Sequence, residues 1–246
     1  MKDNFSLHSD SYKKYRPQYP SDFYSYLNSI LRCKNKAWDC GTGNGQVAFE
    51  LAKTFNIVHA TDISQTQISH AIQADNIVYS IQPAENTNFE AKQFDLITIA
   101  QAIHWFDFQK FYKEVRRTAK HNALICVIGY GRLQISEKID AVITEFYNNT
   151  IGAYWDKERN YIDEHYQTIP FPFDEIKTPE FTNRIYWTAE HVIGYINTWS
   201  AVKHFIKKNG FNPTDQLRSD IEKNWGFELR REVRFPLLLR MGIVHD

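Results

Sequence analysis

Short apolar runs alternate with amphipathic stretches between residues 36 and 131, and that rhythm predicts β-α-β units on a parallel sheet. The expected strands are "KAWDC" (36–40), "NIVHATD" (56–62), "NIVYSI" (76–81), "FDLITIAQA" (94–102) and "ALICVIGYG" (123–131). The last of these is apolar throughout, as befits a strand covered on both faces. Between them the 3.6-residue period predicts helices at "GQVAFELAKTF" (45–55), "SQTQISHAIQAD" (64–75) with Ser64 as N-cap, and "FDFQKFYKEVRRTA" (106–119).

Beyond Gly131 the pattern changes. Residues 134–175 read as helical and then irregular, ending in the proline-rich "TIPFPF" (168–173), which favours an extended connection. "FTNRIYWT" (181–188) alternates like a strand. "AEHVIGYINTWSAVKHFIKKNG" (189–210) reads as one or two helices stopped by Gly210, and "NPTDQLRSDIEKNWG" (212–226) as another. "REVRFPLLLR" (231–240) is a final strand, in which Pro236 predicts an edge or a bulge.

The 246 residues are expected to form a single domain, with residues 1–30 as an N-terminal lid and residues 134–180 and 189–226 as cap elements over a pocket. Lys plus Arg balances Asp plus Glu at 29 each, so no nucleic-acid or membrane partner is expected. The polar N-terminus carries no apolar signal region, and Cys33, Cys40 and Cys126 have no metal-ligand spacing. A reduced, cytoplasmic protein without a bound metal is the expectation.

The chemistry begins at "WDCGTGNGQV" (38–47), where Gly41, Gly43 and Gly45 alternate after Asp39 in a strand-to-helix turn. Glycines there let the backbone approach a ligand closely, and helix-terminal amides favour an anion by ~0.3–1 kcal/mol. Asp39 contributes the opposite sign. An anion-accepting loop beside a carboxylate suits a zwitterion such as the amino-acid end of S-adenosylmethionine, whereas Asp39 would repel a pyrophosphate. Asp62, at the end of the second strand, is placed to accept the hydroxyls of a ribose or to sit as a helix N-terminal carboxylate. After the third strand, the Ala84 amide and the side chains of Gln82 or Glu85 are placed to reach an adenine edge.

Together, Asp39-x-Gly41-x-Gly43-x-Gly45, Asp62, "PAE" (83–85) and "AQAIHWF" (100–106) resemble the class I S-adenosylmethionine-dependent methyltransferases of the type 11 family. "YKKYRPQYP" (12–20), "YINTWSAV" (195–202) and "VRFPLLLR" (233–240) further resemble the trans-aconitate methyltransferase group of that family. The resemblance implies an α/β, doubly wound, mostly parallel seven-stranded sheet of order 3-2-1-4-5-7-6, with the antiparallel strand at "REVRFPLLLR". It also implies that Gly41, Gly43 and the Asp39 neighbourhood hold the methionine part of S-adenosylmethionine, Asp62 the ribose, and Ile63 one adenine face. Ala84 and Glu85 would border the adenine, Gln101 and His104 would flank the sulfonium, and Tyr12 and Arg16 would close over the cofactor. S-adenosylhomocysteine would be the product. Pro83 stands where many relatives have an acidic or small polar residue, which shifts the adenine contact towards Gln82.

For the acceptor, His104 has three readings: a base for a hydroxyl, a hydrogen-bond partner for a carboxylate, or a packed histidine. Arg132, directly after the fifth strand, is expected to pair with an anionic substrate, and Tyr154, Trp155, Tyr161, Trp199 and His204 are candidate pocket linings. The reaction expected is methyl transfer to a small molecule, first of all to a carboxylate or hydroxyl oxygen. An NAD(P)-dependent oxidoreductase on the same sheet is the main alternative, against which Gln46 stands at the position of the third fingerprint glycine. An S-adenosylmethionine-binding protein without catalysis is the other.

Overall fold

The computed structural model describes residues 15–245, and the expected contact of Tyr12 lies outside them. Five parallel strands form the frame: β1 (Lys36–Cys40), β2 (Ile57–Asp62), β3 (Ile77–Ile81), β4 (Phe94–Ala100) and β5 (Ala119–Tyr130). A long final strand β8 (Arg231–Val244) runs antiparallel to β5, and the sheet order is β3-β2-β1-β4-β5-β8, with the short β6 (Asp174–Ile176) beyond β8. This is the expected α/β Rossmann-like fold with one difference. The place of the sixth strand is shared by two short pieces, β6 and β7 (Thr182–Trp187), both antiparallel to β8. Pro179 between them has no amide hydrogen to give a ladder, so a continuous strand is broken there.

Pro236 is not on an edge strand. It sits where β8 passes from β7, which pairs up to Pro236, to β5, which pairs from Leu237 onwards. Its carbonyl accepts from Gly131 N, and the next amide, Leu237 N, donates to Phe181 O.

Side-chain alternation on β5 sends Ala123, Ile125 and Val127 to one apolar cluster and Leu124, Cys126 and Ile128 to another. Helix α1 (Ser21–Ile30), unexpected from the sequence, packs Phe23 and Leu27 into the second of these, together with α2 (Gln46–Ala52). Residues 21–30 therefore belong to the core. Helix α4 (Phe108–Thr118) covers the first cluster. A third cluster unites α5 (Glu137–Glu145) and its π-turn extension Phe146–Thr150 with α7 (Ala189–Asn197), α8 (Ser200–Asn209), α9 (Thr214–Trp225) and the start of β8. The short helix α6 (Asn160–Asp163) contributes Ile162 to the first cluster. Among the described residues no helix is long and apolar enough to cross a membrane.

The helix expected over 64–75 is cut to α3 (Gln65–Ser69). Its N-cap is Ser64 as expected, with the hydroxyl accepting from Gln67 N. After His70 the backbone finds partners outside the helix: Ile72 N donates to Asn44 O, and Ile72 O accepts from the Tyr79 hydroxyl. That contact ties β3 to the glycine turn. Gly45 has φ +80°, and a Cβ added there would lie 2.1 Å from Tyr79 Oη. Gly210, which ends α8, also has φ +80°, yet nothing lies within 4 Å of where its Cβ would be. Gly210→Ala should therefore cost only the left-handed backbone term, about 1–2 kcal/mol. Gly45→Ala should add an overpacking cost of about 1–3 kcal/mol to the same term. Chemical denaturation of the two variants checks this, and equal losses would contradict it.

Candidate active site

The carboxyl ends of β1, β2 and β4 converge on a cleft lined by Gly41–Asn44, Asp62–Ser64, Gln101 and Ala102, with Arg16, Pro17 and Tyr19 forming the opposite wall. That is where a doubly wound sheet places its ligand. Gly41, Gly43 and Gly45 all have positive φ, and a Cβ at Gly41 would lie 2.6 Å from Ala102 Cβ. The turn is thus held tight against the segment leaving β4.

Three of its amide hydrogens do not face a ligand. Thr42 N donates to Thr61 O, Gly43 N to Asp62 Oδ2, and Gly45 N to Thr42 O. The expectation that the turn's amides point at a ligand does not hold for these three, whose hydrogens are used within the fold. Asn44 is 5% exposed and its Nδ2 has no hydrogen-bond partner, which leaves a buried donor at the cleft wall. A buried donor without a partner is costly, so a ligand acceptor is its natural complement.

Asp62 spans both expected roles. Its Oδ2 accepts from Gly43 N at 2.9 Å and its Oδ1 from Ser64 N at 2.9 Å, so it ties the turn to the start of α3 while lining the cleft. Ile63 lines the cleft beside it. Asp39 is fully buried and lies behind the turn, out of the cleft lining. Thr42 Oγ1 donates to its Oδ2 at 2.5 Å, and Thr98 Oγ1 to its Oδ1 at 2.8 Å. Burial nevertheless raises its pKa from 3.8 to about 6.

Two residues expected near the adenine stand apart from the cleft lining. Ala84 is buried in the core, and Glu85 Oε1 accepts from Asp107 N at 3.1 Å. Gln82 is likewise engaged locally, its Oε1 accepting from Asn88 N. Serine and amide side chains that the sequence reading passed over, Ser64 and Gln67, line the cleft instead.

A second pocket adjoins the first and shares Arg16, Gln101 and Trp105 with it. Gln101 stands at the junction with φ +54°, a strained backbone for a residue other than glycine, and its Nε2 donates to Tyr130 O at 3.3 Å. The remaining lining is His104, Trp155, Asp156, Arg159, Ile162, Trp199 and Ser200. Of the aromatic candidates, Trp155 and Trp199 reach this pocket. Tyr154 packs on Phe205, Tyr161 on Phe108, and His204 Nδ1 lies 3.0 Å from Tyr154 O.

His104 faces the second pocket and is absent from the lining of the first. It is 6% exposed, stacks on Tyr166, and its Nδ1 has no hydrogen-bond partner. Burial, and then the charge of Arg159, push its pKa down to about 3, so the ring is neutral near pH 7.

Arg132 is exposed, with its guanidinium 5.1 Å from the Tyr147 ring, and it lines neither pocket. Beside Arg16, this second pocket holds a cation that sequence reasoning missed, Arg159. Its guanidinium lies 4.8 Å over the Trp155 ring, and its Nε donates to Tyr147 Oη at 2.9 Å. Tyr147 Oη in turn donates to Asp163 Oδ2 at 2.7 Å. Among the described residues the two terminal nitrogens of Arg159 have no hydrogen-bond partner, so the fork is held by its base and presented at its tip.

Comparison with known proteins agrees with this geometry. A sequence model described as a methyltransferase domain matches residues 38–127. A Dictyostelium discoideum protein assigned as a methyltransferase is 33% identical over 96% of this chain and 93% of its own length. A structure from Anaeromyxobacter dehalogenans, assigned as a type II methyltransferase, is 32% identical with a TM-score of 0.87, covering 94% of this chain and 99% of that one. The fold extends further: phosphoethanolamine N-methyltransferase 2 of Haemonchus contortus, solved with S-adenosylmethionine, is 15% identical with a TM-score of 0.50 over 98% of this chain and 58% of that one. The chain belongs to the class I S-adenosylmethionine-dependent methyltransferases.

Proposed function

We propose that the enzyme methylates a carboxylate oxygen of a small molecule, and that the acceptor is held by Arg159 in the pocket beside the cofactor cleft. The observation carrying this reading is the presented guanidinium fork, stacked on Trp155 and steered by Tyr147 and Asp163. Such a fork matches a carboxylate in two parallel hydrogen bonds. The trans-aconitate-type segments "YKKYRPQYP" and "HWF" point the same way.

S-adenosylmethionine, when bound, supplies a methyl group on a sulfonium, already activated for in-line displacement. The work left to the protein is alignment, which is worth roughly 7–11 kcal/mol of barrier. In this reading Asp62 takes the ribose hydroxyls and Ile63 packs on the adenine. Asn44 and the Gly41–Gly43 turn meet the amino-acid end, with Asp39 supplying a negative field from behind Thr42. Gln101 and Trp105, shared by both cavities, stand where the methyl group crosses.

A carboxylate is ionised at neutral pH and needs no base. His104 agrees with that reading: it lines the pocket, and a ring whose pKa is about 3 is a poor proton acceptor from a hydroxyl. A hydroxyl acceptor is the second reading, favoured only by that same imidazole.

Label from methyl-labelled S-adenosylmethionine should pass to a member of a panel of small carboxylates, and transfer confined to phenols or carbon centres would discard the carboxylate reading. With the acceptor in hand, Arg159→Ala should raise its KM about 10- to 150-fold, as a charged hydrogen bond worth ~1.5–3 kcal/mol is removed, with S-adenosylmethionine affinity unchanged. The kcat profile should be flat between pH 5.5 and 8, whereas an inflection in that window lost in His104→Asn would support a histidine base.

Asp39 yields a separate expectation. Its folded pKa of about 6 lies above the ordinary 3.8, so the cofactor-free fold binds this proton more tightly than the unfolded chain does. That stabilisation is complete below pH 3.8 and lost as pH rises through 6, a difference of about 3 kcal/mol. Asp39→Asn should therefore gain thermal stability relative to the parent as pH rises from 4 to 7.5, while binding S-adenosylmethionine more weakly. A stability difference independent of pH would refute the shift.

A further inference from the structure

The wall of the cofactor cleft contributed by Arg16, Pro17 and Tyr19 is anchored on the cap. Asn183, on β7, donates its Nδ2 hydrogen to Gln18 O. Arg16 Nη1 donates to Tyr130 Oη at 3.0 Å, and its guanidinium lies 5.3 Å over the ring of Tyr195 on α7. One residue earlier, the Tyr15 ring meets His191 edge-on at 5.0 Å.

The seat of that ring is a glycine in the middle of a helix. Gly194 lies between His191 and Tyr195 on α7, and a Cβ there would fall 2.3 Å from Tyr15 Cε1 and 2.6 Å from Cδ1 and Cζ. Glycine is unfavourable inside a helix, so the bare backbone at this position answers to something other than helix stability. The turn of α7 around it is buried through Val192, Ile193, Tyr195 and Ile196, so the helix cannot retreat from an added methyl group; the ring must.

We propose that Tyr15 on Gly194 is a latch that controls the rate of cofactor exchange. Seated, it holds Arg16 at the junction of the two cavities, so the acceptor pocket is complete only when the segment of residues 15–19 is docked. That same segment walls the cofactor cleft, so cofactor exchange requires the latch to open. The proposal rests on the reading that the first cavity takes the cofactor and the second the acceptor.

Release of S-adenosylhomocysteine, followed by tryptophan fluorescence in a stopped-flow mixer, tests it without any knowledge of the acceptor. Gly194→Ala should speed release at least tenfold with no loss of melting temperature in the cofactor-free protein, since alanine favours the helix. Tyr15→Ala should speed release to a similar extent. The double variant should be no faster than either single one, because each removes the same contact. Release within twofold of the parent in Gly194→Ala, or single effects that multiply in the double variant, overturns the latch alone. Should Gly194→Ala fail to fold, Tyr15→Ala decides, and release within twofold of the parent overturns the latch. Failure of the parent to bind S-adenosylhomocysteine overturns the cofactor reading and the latch together.

Discussion

The site depends on how two carboxylates hold one turn. Asp62 reaches from the end of β2 to the amides of Gly43 and Ser64, and Asp39 at the end of β1 takes the hydroxyls of Thr42 and Thr98. The chain between them must reverse in three left-handed steps to bring those donors round, and glycine permits this without the steric cost of a Cβ. The outcome is a turn whose Thr42, Gly43 and Gly45 amides are held within the fold while it lines the cleft. Negative charge accumulates on both sides of it, one group wholly buried and one facing the cleft. A ligand with a positive amino-acid end and ribose hydroxyls complements that distribution, whereas a pyrophosphate does not.

The second pocket is organised by different forces. Three tryptophans, Trp105, Trp155 and Trp199, wall a pocket that also contains the guanidinium of Arg159. Stacking on Trp155 and the Tyr147–Asp163 pair fix that group before any substrate arrives, which lowers the entropy lost on binding. The same charge helps to keep His104 neutral. The pocket thus combines two guanidinium groups, Arg16 and Arg159, with a neutral imidazole and the carboxylate of Asp156.

The sheet was legible because its signals are local. Apolar runs bounded by polar segments located β1 to β5 within a few residues, Ser64 announced its own cap, and the spacing of Gly41, Gly43, Gly45 and Asp62 was sufficient to locate the cleft. What escaped was whatever long-range contacts decide. The helix at 64–75 ends early because Ile72 finds partners in Asn44 and Tyr79, which no periodicity reveals. Arg132 follows β5 in sequence, but its guanidinium lies against the Tyr147 ring outside both pockets, while Arg159, in the irregular insert, binds that ring's hydroxyl and lines the second pocket. Ala84 and Glu85 were placed by motif, and the packing assigns them to the core and to the cap of α4. A faint signal for Arg159 did exist: "YWDKERNYID" sets an arginine between aromatics and four residues before Asp163.

The most direct test is a crystal structure of the enzyme grown with S-adenosylhomocysteine. The ribose hydroxyls should rest on the Asp62 carboxylate, with the amino-acid end against Asn44 and the sulfur turned towards Gln101 and the tryptophan-walled pocket. Density for the ligand in any other cavity, or with its ribose remote from Asp62, would contradict the account.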